Sequence, residues 1–266
     1  MTSGASKRVD HDVNFMIDAE GRVGNVSGGV TGGDERQAEL AANLVELRER
    51  LAAACARSNR DPAELTLVAV TKTWPADDVL RLAALGVADI GENRDQEAAP
   101  KAAEVAAAGV EVRWHFVGQL QRNKAKSVVA YADLVHSVDS VRLAEALDHA
   151  AGQGRDRPLD VLVQVSIDSA PGRGGALPGE VDAVADAIAA AQALVLRGVM
   201  AVAPMDWDPA RAFEALAGIA ARVRAQHPTA TIISAGMSGD VEEAIDYGAT
   251  HVRMGSALLG SRPSLL

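Results

Sequence analysis

A lysine at the end of a wholly apolar run is the sharpest chemical feature of this chain. Lys72 closes the apolar run Leu67-Val68-Ala69-Val70, one residue beyond Thr71, so its side chain either snorkels to solvent or stands in the mouth of a pocket. In a pocket, desolvation and a nearby cation favour the neutral amine, which attacks an aldehyde to give a Schiff base. Two Gly/Ser turns lie far downstream, Gly236-Met237-Ser238-Gly239-Asp240 and Gly255-Ser256. Glycine lets the backbone approach a ligand closely, serine adds a hydroxyl, and a following helix start favours an anion. Together they suit a phosphate group. The plain alternative is a pair of ordinary turns with Ser238 or Asp240 as helix cap. Arg253, two residues before Gly255, either pairs with a carboxylate such as Glu92 or faces the ring nitrogen or phosphate of a bound molecule. An arginine beside a pyridine nitrogen keeps that nitrogen unprotonated and weakens the ring as an electron sink. Asn93 either hydrogen-bonds a ring hydroxyl or caps the next helix. His115 reads as a satisfied core group. No metal-ligand spacing and no Ser/His/Asp motif stands out.

Residues of this kind act only if the fold brings them to one place, and the hydrophobic pattern says how. Positions 1–33 are polar and Gly-rich and read as a flexible extension. Residues 35–57 carry Leu40, Leu44, Leu47 and Leu51 at helical spacing. Eight short apolar runs then alternate with helical segments: Leu65–Thr71, Ala88–Gly91, Val112–Val117, Leu134–Val138, Val161–Ile167, Leu194–Val202, Thr231–Ser234 and His251–Met254. Helices are expected near 76–85, 95–108, 120–130, 140–151, 178–192, 209–226 and 239–247. Eight strands in strict alternation with helices predict an α/β fold, a single (β/α)8 barrel over residues 34–266 with an extra N-terminal helix. A doubly wound open sheet is the alternative, but the start lacks a GxGxxG loop. Barrel chemistry sits at the C-terminal ends of the strands, and the loops after strands 7 and 8 often hold phosphate. Lys72, Asn93 and both Gly/Ser turns fall at such ends.

Composition narrows the classes of partner. The 266 residues carry a net charge of −10, which argues against general binding to nucleic acid or anionic membranes. Cys55 is the one cysteine, so the chain forms no intrachain disulfide and no cysteine metal site. No apolar run approaches the roughly 18 residues of a membrane span, and the N-terminus lacks a signal-peptide core. The expected compartment is the cytoplasm.

Taken in order, the motifs resemble the pyridoxal phosphate homeostasis protein family. The matching pieces are Val70-Thr71-Lys72-Thr73, Gly91-Glu92-Asn93 with Gln96-Glu97, and Trp114-His115-Phe116-Val117-Gly118 with Leu120-Gln121 and Asn123-Lys124. His136-Ser137-Val138-Asp139, Arg197-Gly198-Val199-Met200, Ser234-Ala235-Gly236-Met237-Ser238 with Asp240, and Val252-Arg253-Met254-Gly255-Ser256 with Gly260 follow. The resemblance spans about residues 35 to 262. It implies a barrel like the N-terminal domain of alanine racemase that binds pyridoxal 5′-phosphate (PLP), with Lys72 matching the Schiff-base lysine. The segments around Gly236–Ser238 and Gly255–Ser256 match the phosphate-binding turns. The cofactor-binding set expected on this basis is Lys72, Asn93, Ser234, Gly236, Met237, Ser238, Arg253, Gly255 and Ser256. The family's role is to bind and buffer PLP, with PLP-dependent apo-enzymes as possible recipients, and the expected state is a monomer or weak dimer. One departure is notable. Where many members carry Ser-Lys-x-Gly after strand 5, this chain reads Ala170-Pro171-Gly172-Arg173-Gly174-Gly175. Arg173 keeps the charge but does not readily form an imine.

Two other functions are weighed against a PLP carrier. A PLP-dependent racemase of this fold needs a second acid–base opposite the lysine, and Tyr131 and Tyr247 fall in or near helices rather than at strand ends. A Schiff-base aldolase or isomerase of sugar phosphates would use Lys72 on a substrate carbonyl instead.

Overall fold

A computed structural model describes residues 32–260 apart from positions 171 and 173. The N-terminal extension up to residue 31, and the side chain of Arg173, therefore lie outside the described residues. Eight parallel strands close on themselves in sequence order. They are β1 (Thr66–Val70), β2 (Asp89–Glu92), β3 (Arg113–Phe116), β4 (Leu134–Val138), β5 (Leu159–Gln164), β6 (Leu194–Met200), β7 (Ile232–Ser234) and β8 (His251–Met254). The helices are α1 (Gly32–Arg57), α2 (Ala76–Ala84), α3 (Asp95–Ala107), α4 (Ala125–Tyr131), α5 (Val141–Gly154), α6 (Val181–Ala190), α7 (Pro209–Gln226), α8 (Val241–Asp246) and α9 (Ser256–Leu259). This is the (β/α)8 barrel with an extra N-terminal helix that the alternation predicts.

Local chemistry explains the helix ends. Asp208 accepts the amide of Ala210 at 3.0 Å and Pro209 opens α7 with its φ already set. Such a cap contributes about 1 kcal/mol. In α2, Val79 and Leu82 are buried three residues apart, while Asp77 and Asp78 open the helix and Arg81 closes it, in line with its dipole.

Strand parity decides which side chains reach the barrel interior. A Cβ added at Gly91 would meet Val68 Cγ1 at 3.0 Å and Val70 Cγ2 at 3.3 Å, so Val68, Val70 and Gly91 share the inner face. Lys72, two residues beyond Val70, continues that parity. The outward residues join the sheet to the helices in one large apolar cluster that includes Ile90, Phe116, Leu147, Ile188 and Phe213. Inside the barrel a smaller cluster of Leu134, Leu162 and Met200 with Ile232 fills one side. Beside these and the two valines of β1, the interior holds polar side chains, among them His115, His136, Ser234 and Arg253.

Most ends shift by a residue or two, and three departures from the sequence pattern are larger. β5 starts at Leu159 and stops at Gln164, whereas the apolar run suggests Val161–Ile167. Asp160 is accommodated near the strand start because Arg197 on β6 pairs with it at 2.9 Å, and the run outlasts the strand because Val165 bridges back to Ala176. The helix expected near 120–130 opens as a 3-10 turn over Arg122–Lys124 before α4. The single turn α9 is too short to leave a periodic signal.

Helix α1 lies outside the β/α alternation and packs on the last two helices. Arg50 grips Glu242 with two bonds of 2.6 Å and donates to the Ser238 carbonyl at 3.0 Å. Arg36 donates to the Leu259 carbonyl at 3.0 Å and Asn43 to that of Leu258 at 3.0 Å. The extra helix thus braces the segments that follow β7 and β8.

Candidate functional site

A cavity of about 450 Å³ opens at the C-terminal end of the barrel, within the range of small-molecule sites. Lys72, Asn93, Met237, Ser238, Arg253, Gly255 and Ser256 all line it, joined by Val70, Trp74, Val117, Gly118, Val202, Gly239 and Gly260. Seven of the nine residues expected from sequence therefore meet in one place. The other two stand behind it: Ser234 is fully buried beneath Arg253, and Gly236 shapes the turn.

The segment carrying Lys72 is held from behind by a buried polar cluster. Thr71 donates through Oγ1 to Glu92 Oε1 at 2.7 Å, and Lys101 of α3 bonds both Glu92 and the Thr71 carbonyl, the latter at 2.9 Å. Glu92 therefore pairs with Lys101 on the outer side of the sheet rather than with Arg253. Burial pushes its carboxyl above the usual range, although Lys101 and Thr71 pull it back. Immediately after Lys72, Thr73 adopts φ +69° and gives its amide to Glu97 at 3.1 Å. A β-branched residue in the left-handed region stores about 1–3 kcal/mol of strain, which collects at ligand sites.

Beside the end of β1, past its neighbour β8, the two Gly/Ser turns come together, with Ser256 Oγ 3.4 Å from Ser238 Oγ. Gly236 has φ +89°, and a Cβ there would sit 2.7 Å from that of Ala244. Glycine is therefore required for the turn to fold under α8. Asp240 accepts the Met237 amide at 2.6 Å, which fixes the turn from inside. Among the described residues, the amides of Ser238, Gly239 and Ser256 donate to no protein group, so they remain available to an anion in the cavity.

Arg253 is 5% exposed and projects from β8, in register with Val68 of β1. Nη1 donates to Ser234 Oγ at 2.7 Å and Nη2 to the Ala201 carbonyl at 2.9 Å. Burial pulls its pKa down to about 10, against the attraction of Asp240, so it stays charged at neutral pH. Asn93 faces the cavity and does not cap α3, whose N-cap position is Arg94 without a side-chain bond. Gly118 lets the loops after β2 and β3 cross: a Cβ there would lie 2.0 Å from the Asn93 carbonyl oxygen.

Other features fall elsewhere. His115 is satisfied inside the barrel by His136 and Asp89 at 2.9 and 2.8 Å. Tyr131 ends α4 and Tyr247 follows α8, and neither lines the cavity. No cluster among the described residues has the makings of a metal site, and no helix there is long and apolar enough to cross a membrane. Trp74, Val117 and Val202 were not among the cofactor-binding residues expected from sequence, because apolar residues at strand ends and loop starts carry no chemical signal of their own.

Known proteins share this architecture. The alanine racemase N-terminal domain family matches residues 38–263. A pyridoxal phosphate homeostasis protein of Mycobacterium leprae is 44% identical over 241 residues, covering 85% of this chain and 94% of that protein. Its counterpart in Escherichia coli K12 is 36% identical over 228 residues, covering 84% and 97%. PipY of Synechococcus elongatus, solved with PLP bound, superposes with a TM-score of 0.72 at 34% identity, covering 83% of this chain and all (100%) of that one. Alanine racemase of Corynebacterium glutamicum shares the fold alone, with a TM-score of 0.62 at 18% identity over 86% of this chain and 64% of the racemase.

Proposed function

The chain belongs to the pyridoxal phosphate homeostasis protein family, and from that premise we propose that it binds PLP covalently through Lys72 and carries or buffers the cofactor in the cytoplasm, with little or no turnover. The observation that carries this reading is the meeting of Lys72, Asn93, Arg253 and the two Gly/Ser turns around one cavity of about 450 Å³. Each group fits one part of the molecule. PLP supplies an aldehyde that condenses reversibly with an amine, a pyridine ring and a phosphate. Lys72 offers the amine. Asn93 offers a donor and an acceptor to the ring hydroxyl. The amides of Ser238, Gly239 and Ser256, with the two serine hydroxyls, offer donors to the phosphate. Val70, Val117 and Val202 give the ring apolar walls and exclude water from it.

Arg253 argues for holding over turnover. It presents donors only, so a ring nitrogen facing it stays unprotonated, and the ring then draws electrons weakly. Racemisation also needs a second acid–base opposite the lysine, and neither tyrosine of this chain stands at the cavity. PLP-dependent apo-enzymes are the recipients this reading provides for, and it takes the chain as a monomer or weak dimer.

Borohydride reduction in the presence of PLP, followed by peptide mapping, tests the assignment. Reduction turns a reversible lysine adduct into a stable secondary amine. Label on the peptide containing Lys72, at one equivalent per chain, is expected. Label spread over surface lysines, with none on Lys72, would overturn it.

A further inference from the structure

Five polar groups inside the barrel form one continuous file, and only Arg253, at one end of it, reaches the cavity. Arg253 Nη1 meets Ser234 Oγ at 2.7 Å, Ser234 Oγ meets His136 Nδ1 at 2.9 Å, His136 Nε2 meets His115 Nδ1 at 2.9 Å, and His115 Nε2 meets Asp89 Oδ1 at 2.8 Å. The file runs from β8 through β7, β4 and β3 to the first residue of β2, at the opposite end of the barrel from the cavity. Both histidines and Ser234 are buried.

The chemistry of the two ends sets the direction of every link. An arginine has only donors, and an ionised aspartate only acceptors. Burial works to raise Asp89, but the hydrogen bond from His115 and the charge of Arg113 act against it, and the carboxyl lies below its ordinary range. His115 must therefore carry its proton on Nε2 and accept on Nδ1. His136 is kept neutral by burial first and by the Arg253 guanidinium as well. It must then donate from Nε2 and accept on Nδ1, so the Ser234 hydroxyl donates to it and takes the Arg253 proton on a lone pair. Running the file backwards needs an extra proton on His115. It would aim both His136 and Arg253 at Ser234 as donors, and leave the serine hydrogen without its acceptor. His251 stays outside the file, bonded to Thr250 Oγ1 at 3.1 Å, with its ring centroid 6.2 Å from that of His115. Arg113 places a cation 3.5 Å from Asp89.

We propose that Asp89 is a positioning residue of the cofactor site, acting through His115, His136 and Ser234 to hold the Arg253 guanidinium at the cavity wall. The proposal rests, for its effect on PLP, on the function assigned above. The hydrogen-bond order itself does not. Without the carboxylate the two rings lose their fixed tautomers, Ser234 is no longer committed as an acceptor, and Arg253 loses a defined seat.

Histidine-selective ¹⁵N NMR of the PLP-free protein tests the order directly. Both His115 and His136 are expected as Nε2–H tautomers, and Nδ1–H on His136 or a doubly protonated His115 at neutral pH would overturn the proposal even if PLP never bound. PLP titration of Asp89→Asn, Ser234→Ala and the double variant then tests the coupling. Asp89→Asn should weaken binding about threefold to thirtyfold in the parent and have no further effect once Ser234→Ala has cut the file. An equal, additive loss in both backgrounds would reduce Asp89 to a residue of general stability and sink the proposal. Failure of the parent to bind PLP, with the tautomers as expected, would count against the functional assignment alone.

Discussion

Removing Lys101 is expected to destabilise the protein far more than removing an exposed partner, and to do so in a pH-dependent way. Side-chain exposure is 7% for Lys101 and 0% for Glu92. Oε1 of Glu92 takes the bonds from Lys101 and Thr71, and Oε2 has no hydrogen-bond partner among the described residues. Lys101→Met keeps much of the stem and deletes the charge, which strands a carboxylate in the core. Losing one partner of a buried pair costs about 3–5 kcal/mol. Arg222→Ala provides the control, because that arginine and Asp182 are 42% and 39% exposed and such a pair contributes about 0–1 kcal/mol. The sign with pH follows from Glu92. Its folded pKa lies above the ordinary 4.5 because of burial, and Lys101 is what restrains the rise. The folded state therefore holds a proton more tightly than the unfolded chain, and stability falls as pH rises from 4.5 through the folded value. Without Lys101 that folded value climbs further and the fall continues to higher pH. Urea unfolding at acidic, neutral and mildly alkaline pH should show the smallest gap between parent and variant in acid and the widest above neutrality. A gap that is the same at every pH, or no larger than that of Arg222→Ala, would refute the reasoning. Because Lys101 also holds the Thr71 carbonyl, the variant should bind PLP more weakly as well.

Three further outcomes follow from the same geometry. Gly236→Ala forces a side chain into φ +89° and within 2.7 Å of Ala244. It should cost about 1–3 kcal/mol in thermal or urea unfolding and weaken inorganic phosphate and PLP binding together. Thr73→Gly relieves the left-handed strain after Lys72 and should raise stability by about 1 kcal/mol, with some loss in PLP affinity as the loop loosens. Burial of His251, helped by the charge of His115, lowers its pKa from 6.5 to about 4. The unfolded chain therefore binds the proton first on acidification. Stability is complete above pH 6.5 and declines towards pH 4, by about 3 kcal/mol from this group, and His251→Gln should flatten that slope in a pH series of unfolding curves.

Much of the architecture was legible because a parallel barrel writes itself as short apolar runs between amphipathic helices. The run Leu134–Val138 and the run His251–Met254 coincide with β4 and β8 to the residue. Where the reading slipped, tertiary contacts had replaced the local signal. Asp160 hides a strand start through its partner Arg197, and α9 is one turn long. Lys72 and the Gly/Ser turns were legible as a site because barrel strands must end at one rim. The partner of Arg253 was not: sequence offered Glu92, but parity turns Glu92 outward to Lys101 and leaves Arg253 to Ser234 and a backbone carbonyl. Nor could spacing reveal that Asp89, His115 and His136 line up, since they come from three strands and meet only through barrel closure.

The central claim is that Lys72 holds PLP in this cavity. The visible absorbance spectrum of the purified protein with added PLP, recorded beside that of Lys72→Ala, tests it most directly. The account predicts a visible band in the parent, characteristic of PLP bound to a lysine, that disappears in the variant. A parent without that band in excess PLP, or a variant that keeps it undiminished, would contradict it.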